Sequence, residues 1–322
     1  MKVLIAGGTS FVGRAIAWSL FDAGHEVTVV NRGSTPNDLP DRIERLVGDR
    51  QGDLSILQGR RFDATVDAIA YRPSDVERLA AALGSRGGHH VQISSISAYA
   101  EPSHAGGTES TMSLHDESGL DLEGPITGST YGPLKAAAER AARRLFDEPV
   151  TIVRPTYVVG AHDATLRFPY WVERARRGGD VVVPGPSTNA MQWIDARDLA
   201  NFVTHIVTTT LAGSFHATGP SPSDSYTAMV RDIVDVVAPH ETKVREVDAQ
   251  RVIELGLEGK FPLWSGPDGG HMLELDNSWA FANGMTLRPL EESVRDVVQW
   301  WGDREWPSHW LTADEEATLV PT

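Results

Sequence analysis

The 322-residue sequence predicts an α/β fold, a doubly wound parallel sheet with a smaller C-terminal lobe. Two observations lead to this prediction. Short apolar runs of strand length alternate with amphipathic runs of helix length over the first half of the chain, and strands that alternate with helices pair in parallel. Past residue 156 the alternation loosens, as expected where a second lobe begins.

The first βαβ unit carries the first candidate binding site. Lys2–Ala6 is a short apolar run, an amphipathic segment follows it, and Val27–Val30 is a β-branched run. The turn between the first strand and the helix contains Gly7, Gly8 and Gly13. Residues without a Cβ let a pyrophosphate approach the backbone N–H groups at the helix N-terminus. The unit therefore predicts a Rossmann-like dinucleotide-binding domain.

One position in this turn departs from the usual pattern. The spacing is Gly7-x-x-Ser10-x-x-Gly13, so a serine stands where the middle glycine is usual. The backbone N–H group remains, and the hydroxyl adds a second donor. The predicted cofactor contacts from this turn are Gly7, Thr9, Ser10, Phe11, Val12 and Gly13.

The rest of the chain supplies the other elements of this fold. Further strands are predicted at residues 42–47, 64–70, 90–94, 150–153, 181–183, 214–217 and 242–247. Further helices are predicted at residues 74–83, 129–146, 166–177, 196–209, 223–237 and 289–301, and a long polar loop at residues 101–128. We therefore assign residues 1–160 to a dinucleotide-binding domain, to which residues 190–218 return, and residues 161–322 mainly to a substrate-binding lobe.

Composition disfavours several classes of function. The formal net charge of −15 argues against binding to nucleic acid or to an anionic membrane surface. No apolar run approaches the length of a membrane span, and the first one is too short for a signal peptide. The chain has no cysteine, and its His, Asp and Glu residues show no metal-ligand spacing. We expect a cytoplasmic protein with a small-molecule substrate and no metal.

Tyr131 and Lys135 form the second candidate site. The chain has only six tyrosines and four lysines, so their pairing at this spacing is not expected by chance. Positions i and i+4 share one face of a helix, and an ammonium lowers the pKa of a nearby tyrosine from its ordinary value of about 10. On spacing alone, an ordinary helical tyrosine beside a solvated lysine is an equal alternative. Ser94 and Ser95 favour the catalytic interpretation, because they end a strand at the edge where doubly wound sheets bind ligands.

With these motifs the sequence resembles the extended short-chain dehydrogenase/reductase family, which includes NAD-dependent epimerases and dehydratases. The matching segments are GGTSFVG at 7–13, GD at 48–49, SSISAY at 94–99, YGPLK at 131–135, RPTYVVG at 154–160 and QWIDARDLA at 192–200. The resemblance implies that Ser95 is the catalytic serine and Tyr131 the acid/base. It implies that Lys135 holds the nicotinamide ribose and tunes the tyrosine, and that the helix at residues 129–146 forms a homodimer.

The resemblance also implies cofactor contacts at other strand ends. Asp49 would accept a hydrogen bond from the adenine amino group, with Arg50 beside it. Ala70 and Tyr71 would line the nicotinamide ribose. Pro155 is a further predicted cofactor contact.

Asn31 and Arg32 bear on the choice of cofactor. NAD enzymes of the family usually carry an aspartate at the end of the second strand, which would repel a 2′-phosphate. Here a neutral residue followed by a guanidinium suits that phosphate. We therefore expect NADP in preference to NAD, with an arginine stacked on the adenine of NAD as the alternative.

Three departures from the family pattern bear on the reaction. Sugar-nucleotide enzymes commonly carry an asparagine where Tyr157 stands and often an arginine at Met191, and 4,6-dehydratases carry an acidic pair at residues 96–97. Their absence favours hydride transfer between a nicotinamide and a small carbonyl or alcohol. The alternatives are a redox-neutral epimerase or dehydratase of a sugar or sugar nucleotide and, less favoured, a non-catalytic nucleotide- or RNA-binding relative. The candidate substrate contacts are Arg72, Ser97, Tyr157, His162 and Trp193.

Overall fold

The computed structural model of the chain describes residues 1–100, 105–147, 149–268 and 271–320. The strands in this part are β1 (Lys2–Ala6), β2 (Glu26–Asn31), β3 (Glu44–Val47), β4 (Ala64–Asp67), β5 (His89–Ile93), β6 (Val150–Pro155), β7 (Tyr157–Val159), β8 (Asp180–Pro184), β9 (Ala190–Asp195), β10 (Gly213–Ala217), β11 (Gly219–Ser225) and β12 (Lys243–Val247). The α-helices are α1 (Phe11–Asp22), α2 (Pro73–Leu83), α3 (Gly128–Leu145), α4 (Arg167–Arg176), α5 (Ala196–Thr209), α6 (Tyr226–Val237), α7 (Ala249–Glu254), α8 (Ser278–Ala282), α9 (Leu290–Trp301) and α10 (Ala313–Leu319).

The chain divides into two compact units. The first consists of Met1–Thr156, Ala196–Thr218 and Leu275–Thr286. The second consists of Tyr157–Asp195, Gly219–Glu274 and Leu287–Thr322. Residues 190–195, which the sequence groups with the dinucleotide-binding domain, form β9 of the second unit, and residues 275–286 belong to the first unit.

The first unit is built on a seven-stranded sheet. Its strand order is β10-β6-β5-β4-β1-β2-β3, and each pair of neighbours runs parallel. The chain winds outward from β1 in one direction through β2 and β3 and in the other from β4 onward, so the strand order reverses beside β1. This confirms the predicted doubly wound, Rossmann-like α/β fold.

Both faces of the central strand β1 are buried. Leu4 belongs to a hydrophobic cluster with Leu79 of α2 and Ala138 of α3. Because successive residues of a strand point to opposite faces, Val3 and Ile5 face the other side, and they are fully buried too. Helix α1 packs against α5 and α2 against α3, so helices exclude water from both faces of the sheet.

The second unit has two small sheets, ordered β11-β9-β7 and β12-β8. Its core is aromatic. The rings of Trp171 and Tyr226 meet edge to face at 5.6 Å, and both side chains donate hydrogen bonds to the carbonyl oxygen of Pro262. No helix among the described residues is long and apolar enough to cross a membrane.

Several boundaries differ from the sequence prediction for local reasons. The strand predicted at residues 64–70 ends at Asp67, which leaves residues 68–71 as a connection beyond the sheet. The helix predicted from residue 223 begins at Tyr226, because Ser225 caps it and the preceding residues form β11. Of the loop predicted at 101–128, residues 101–104 lie outside the described residues, and residues 105–127 form no α-helix.

Candidate dinucleotide and catalytic site

A cavity of about 380 Å³ opens in the first unit at the carboxyl ends of β1 to β4. This edge, beside the reversal of strand order, is where doubly wound sheets bind their ligands. The lining includes eight of the predicted cofactor contacts: Gly7, Thr9, Ser10, Asn31, Arg32, Asp49, Arg50 and Tyr71. The other predicted cofactor contacts lie outside the lining: Phe11, Val12, Gly13, Ala70, Tyr131, Lys135 and Pro155.

The turn after β1 has the geometry that a diphosphate needs. Gly7 has a φ of 87°, a left-handed conformation that favours glycine. A Cβ at Gly13 would overlap the carbonyl oxygen of Gly7, so α1 approaches the turn this closely only with glycine at that position. Ser10 is the N-cap residue of α1, but its exposed side chain makes no capping hydrogen bond. Its hydroxyl and the first N–H groups of α1 therefore fit a phosphate.

The end of β2 offers a neutral amide followed by an exposed cation. Asn31 Oδ1 accepts a hydrogen bond from the backbone N–H of Gly33 at 2.7 Å, which fixes the amide. Arg32 is exposed, and the hydroxyl-bearing Ser34 and Thr35 line the cavity beside it. This strand end carries donors that suit an anionic group on the ribose.

Arg50 lies at the cavity wall, but its guanidinium belongs to a buried ion pair. It donates to both carboxylate oxygens of Asp67, at 2.7 and 2.6 Å, and to the carbonyl oxygen of Asp75 at 2.8 Å. Burial raises the pKa of Asp67, but the paired guanidinium lowers it more, and the pKa lies below its ordinary value. Arg50 thus ties the segment after β3 to the end of β4.

Asp75 fixes the backbone that follows β4. Its Oδ2 accepts hydrogen bonds from the N–H groups of Tyr71 and Arg72, at 3.0 and 3.2 Å, at the start of α2. Arg72, a predicted substrate contact, donates from its guanidinium to the carbonyl oxygen of Glu123 at 2.9 Å. Burial raises the pKa of Tyr71, so its phenol keeps its proton where it lines the cavity.

Tyr131 and Lys135 lie one turn apart on α3, beside Tyr71. The buried Lys135 Nζ donates to the carbonyl oxygens of Ala70 at 2.9 Å and Ile93 at 2.8 Å. It also lies 5.1 Å from the centre of the Tyr71 ring, within range of a cation–π interaction. The Tyr71 ring centre is 6.4 Å from that of Tyr131. Tyr71 therefore connects the cavity with the predicted acid/base pair.

Lys135 keeps its charge at neutral pH. Burial lowers its pKa, whereas the carboxylates of Asp67 and Glu139 raise it, and the pKa is lowered to about 8. An ammonium that is still charged at pH 7 favours the phenolate form of a neighbouring tyrosine. The role of Lys135 in tuning Tyr131, which the resemblance implies, stays a prediction.

Ser95, not Ser94, presents the hydroxyl that is suited to a substrate. The Ser94 side chain is buried and donates to Glu139 Oε1 at 2.5 Å. Ser95 is partly exposed, and its Oγ accepts from the backbone N–H of Ser97 at 3.1 Å, which leaves its proton for another acceptor. A Cβ at Gly132 would overlap the carbonyl oxygen of Ser97, so this segment packs directly on the helix beside Tyr131.

The remaining predicted substrate contacts belong to the second unit. Tyr157 of β7 and Trp193 of β9 are paired neighbours on adjacent strands, so the structure brings these two together. The guanidinium of Arg167 lies 5.6 Å from the Tyr157 ring centre. His162 has a positive φ, and its ring lies 5.5 Å from that of Trp300.

Sequence reasoning missed the carboxylates that organise this site. Asp67 carries a signal, because a charged residue within the apolar run 64–70 must be paired when it is buried. Glu139 carries another, because it follows Lys135 by one helical turn and lies on the same face. The lining residues Ser34, Thr35 and Gln51 carried no signal, because loop residues have no periodicity to place them.

The fold is Rossmann-like, and its cavity lies at the edge where such folds bind dinucleotides, with Tyr71 between the cavity and the pair Tyr131 and Lys135. Comparison with known proteins makes this more specific. The model of the NAD dependent epimerase/dehydratase family matches residues 3–216, well over half of the chain. The chain belongs to this family.

Individual relatives are distant and differ in function. A 2-alkyl-3-oxoalkanoate reductase of Stenotrophomonas maltophilia (strain K279a) is 28% identical over 63% of this chain and 64% of its own length. The chloroplast stem-loop binding protein of 41 kDa b of Arabidopsis thaliana is 25% identical over 62% of this chain and 53% of its own. The chain thus spans less than two-thirds of either relative.

A solved structure shares the fold over nearly the whole chain. The UDP-glucuronic acid 4-epimerase of Bacillus cereus, in complex with NAD, superposes with a TM-score of 0.65. The match covers 93% of this chain and 98% of that one, at 17% identity. This likeness shows a common fold.

Removing the Asp67 charge should destabilise the protein strongly. Asp67→Asn leaves the buried Arg50 guanidinium uncompensated, at an expected cost of about 3–5 kcal/mol in the free energy of unfolding at pH 7. Urea unfolding measures this, with the exposed Asp41→Asn as a control that leaves the midpoint unchanged. Because the pKa of Asp67 is lowered in the folded state, its contribution is complete above the unfolded-state pKa and declines as the pH falls through the folded-state value. Equal midpoints for the two variants at pH 7 would contradict the role of this ion pair.

Proposed function

We propose that the chain is a dinucleotide-dependent enzyme that performs a redox-neutral epimerase or dehydratase reaction. One observation supports a single site for the cofactor and the acid/base pair: Tyr71 lines the cavity and also lies next to Tyr131 and Lys135. The family supports the redox-neutral course. The sequence alone favoured net transfer of hydride to a small carbonyl, and the comparisons support the redox-neutral alternative better.

The chain's own residues supply binding and proton transfer. When bound, the nicotinamide supplies the hydride acceptor and donor. The turn from Gly7 to Gly13 would hold the diphosphate, and Tyr71 would lie at the nicotinamide end. Tyr131, as a phenolate stabilised by Lys135, takes the proton of a substrate hydroxyl and later returns it. The Ser95 hydroxyl donates a hydrogen bond to the same substrate oxygen.

A net reductase is the second candidate. The 2-alkyl-3-oxoalkanoate reductase is the more similar of the two relatives described above. Tyr157, Met191 and the pair at 96–97 also lack the side chains by which many sugar-nucleotide enzymes bind or process their substrates. An RNA-binding role is less supported, because the chain carries a net charge of −15 and phosphate contacts require a basic surface.

The course of the reaction can be decided by its use of cofactor. A redox-neutral enzyme converts UDP-sugars with a trace of NAD⁺ or NADP⁺, and absorbance at 340 nm does not change in proportion to product. A reductase consumes one NADPH or NADH for each β-keto ester or ketone reduced. Chromatography of the sugar products, beside absorbance for a carbonyl panel, separates the two. Stoichiometric loss of NADPH without sugar conversion would refute the main proposal in favour of the second.

Tyr131→Phe should lower kcat by about 10²- to 10⁴-fold, because proton transfer is lost while the ring remains. Fluorescence titration should find the Kd for the cofactor unchanged within about twofold. The matched control is Tyr170→Phe, since the buried Tyr170 hydroxyl has no hydrogen-bond partner among the described residues. Similar kcat values for the two variants would exclude Tyr131 as the acid/base.

We further propose that the cofactor is NADP in preference to NAD, with Arg32 holding the 2′-phosphate. Arg32→Ala should then raise the Kd for NADP⁺ about tenfold or more, because a charge-assisted contact is lost. The Kd for NAD⁺ should change less than about threefold. Calorimetry measures both, with the exposed Arg42→Ala as control. Equal weakening for the two cofactors would indicate stacking on adenine and would contradict a contact between Arg32 and the 2′-phosphate.

A further inference from the structure

A continuous chain of buried hydrogen bonds runs through the first unit. We name it the Ser94–His216 network, and its members are Ser94, Tyr99, Glu139, Arg154 and His216. Each member is at most 3% exposed. Buried polar networks of this kind have a single satisfied arrangement, and a change at one member disturbs the others.

Glu139 of α3 is the acceptor at the start of the network. Its Oε1 accepts from Ser94 Oγ at 2.5 Å and from Arg154 Nε at 2.9 Å. Its Oε2 accepts from Arg154 Nη2 at 2.5 Å. Arg154 Nη1 donates to the Tyr99 hydroxyl at 2.7 Å. One carboxylate thus joins α3 to the end of β5 and to β6.

The pattern of donors fixes the protonation state of His216 at the other end. A guanidinium can only donate, so the Tyr99 oxygen accepts from Arg154. The Tyr99 proton must then point to His216 Nε2, 2.6 Å away, and this nitrogen must be an acceptor without a proton. The imidazole proton therefore lies on Nδ1 and donates to the carbonyl oxygen of Asp276 at 2.8 Å. The Tyr99 proton and the Asp276 carbonyl oxygen both have a partner only when His216 is neutral and carries its proton on Nδ1.

A second proton on His216 breaks this arrangement. Its Nε2–H would point at the Tyr99 oxygen, and the phenol proton would lose its acceptor. The charged groups that face His216 are Glu109, Arg154 and Asp276. Glu109 Oε1 accepts a hydrogen bond from the backbone N–H of His216 at 2.6 Å. Burial lowers the pKa of His216, Glu109 raises it, Arg154 lowers it, and the net direction is downward. The histidine is therefore neutral at pH 7.

The network reaches the predicted catalytic residues from two directions. Glu139 follows Lys135 by one turn of α3. Ser94 directly precedes Ser95, and Tyr99 follows the short helix of residues 96–98 that Ser95 caps. The network thus holds both the helix that carries Tyr131 and the segment that carries the serine hydroxyl.

We infer that neutral His216 is a positioning residue for this site: through Tyr99, Arg154 and Glu139 it fixes α3 against the Ser95 segment, and its protonation releases them. The inference rests on the proposed roles of Tyr131, Lys135 and Ser95. His216 touches neither cofactor nor substrate in this scheme. It acts only through the network.

The first test needs no substrate. Nitrogen-15 NMR of the imidazoles, with His216 assigned by its loss in His216→Gln, should show the Nδ1-protonated tautomer at pH 7. Ultraviolet difference titration of the NADP⁺ complex, with Tyr131→Phe as the blank, measures the pH at which the Tyr131 phenolate forms. His216→Phe and Tyr99→Phe should raise that pH by about one unit, whereas His216→Gln, which keeps an acceptor for Tyr99, should shift it by less than about 0.3.

The second test uses any substrate that the enzyme turns over. Protonation of Tyr131 itself gives wild-type kcat one acid limb, and this limb should become steeper at a pH under about 6.5, the ordinary pKa of histidine, because burial lowers the pKa of His216. The added steepness should disappear in His216→Gln. The exposed His240→Gln is the control and should keep the wild-type profile. If the wild-type protein turns over none of the substrates, this would count against the proposed function. The Tyr131 titration alone would then test whether His216 positions the site.

Two results would overturn the inference. One is a His216 that is protonated on Nε2 or doubly protonated at pH 7. The other is a Tyr131 titration that is the same in wild type, His216→Phe and Tyr99→Phe. If His216→Phe fails to fold, Tyr99→Phe tests the inference instead, because it removes the hydrogen bond between the Tyr99 hydroxyl and His216 but keeps the aromatic ring of residue 99.

Discussion

The candidate site depends on one buried cation, the ammonium of Lys135. An ammonium removed from water is costly unless its donors are satisfied. Here two of its three N–H donors bond to the carbonyl oxygens of Ala70 and Ile93, which lie just beyond β4 and at the end of β5. These bonds hold α3 against the carboxyl edge of the sheet. The position of Tyr131, one turn earlier on α3, follows from them.

The buried charges around Lys135 balance. Arg50 pairs with Asp67 on the side of the cavity, and Arg154 pairs with Glu139 on the side of β6. Asp75 is the third carboxylate, so three cations face three anions. Removing a single partner from such a set leaves an uncompensated charge in a medium of low dielectric constant. The two ion pairs also tie the end of β4 to the segment after β3 and tie α3, which carries Tyr131 and Lys135, to β6.

The sequence predicted the parts of this arrangement that have a period or a fixed spacing. The βαβ rhythm predicted the parallel sheet, and the spacing of Tyr131 and Lys135 predicted their shared helix face. What lay beyond prediction depends on contacts between distant residues. The Tyr99–His216 contact joins separate elements and leaves no local pattern. The position of Asp67 in an apolar run indicates that it needs a partner, but nothing local identifies Arg50 as that partner. The strand β11 was missed because it contains Pro220 and Pro222, which argue against a strand when they are seen alone.

A redox-neutral reaction places a specific demand on this charge set. The same phenol must take a proton in one half-reaction and return it in the other, so the Tyr131 pKa must lie near the working pH. Lys135 supplies the stabilisation only while it is charged, and its own pKa is lowered to about 8. The active form, phenolate beside ammonium, therefore exists only if Tyr131 loses its proton before Lys135 does. Burial lowers the pKa of Lys135 and so narrows the interval between the pKa values of Tyr131 and Lys135. The carboxylates of Asp67 and Glu139 raise the pKa of Lys135 and so widen this interval. In the proposed reaction, the carboxylates of Asp67 and Glu139 thus help to set the pH range in which Tyr131 acts as both base and acid, whereas Arg50 lowers the pKa of Lys135 and opposes them.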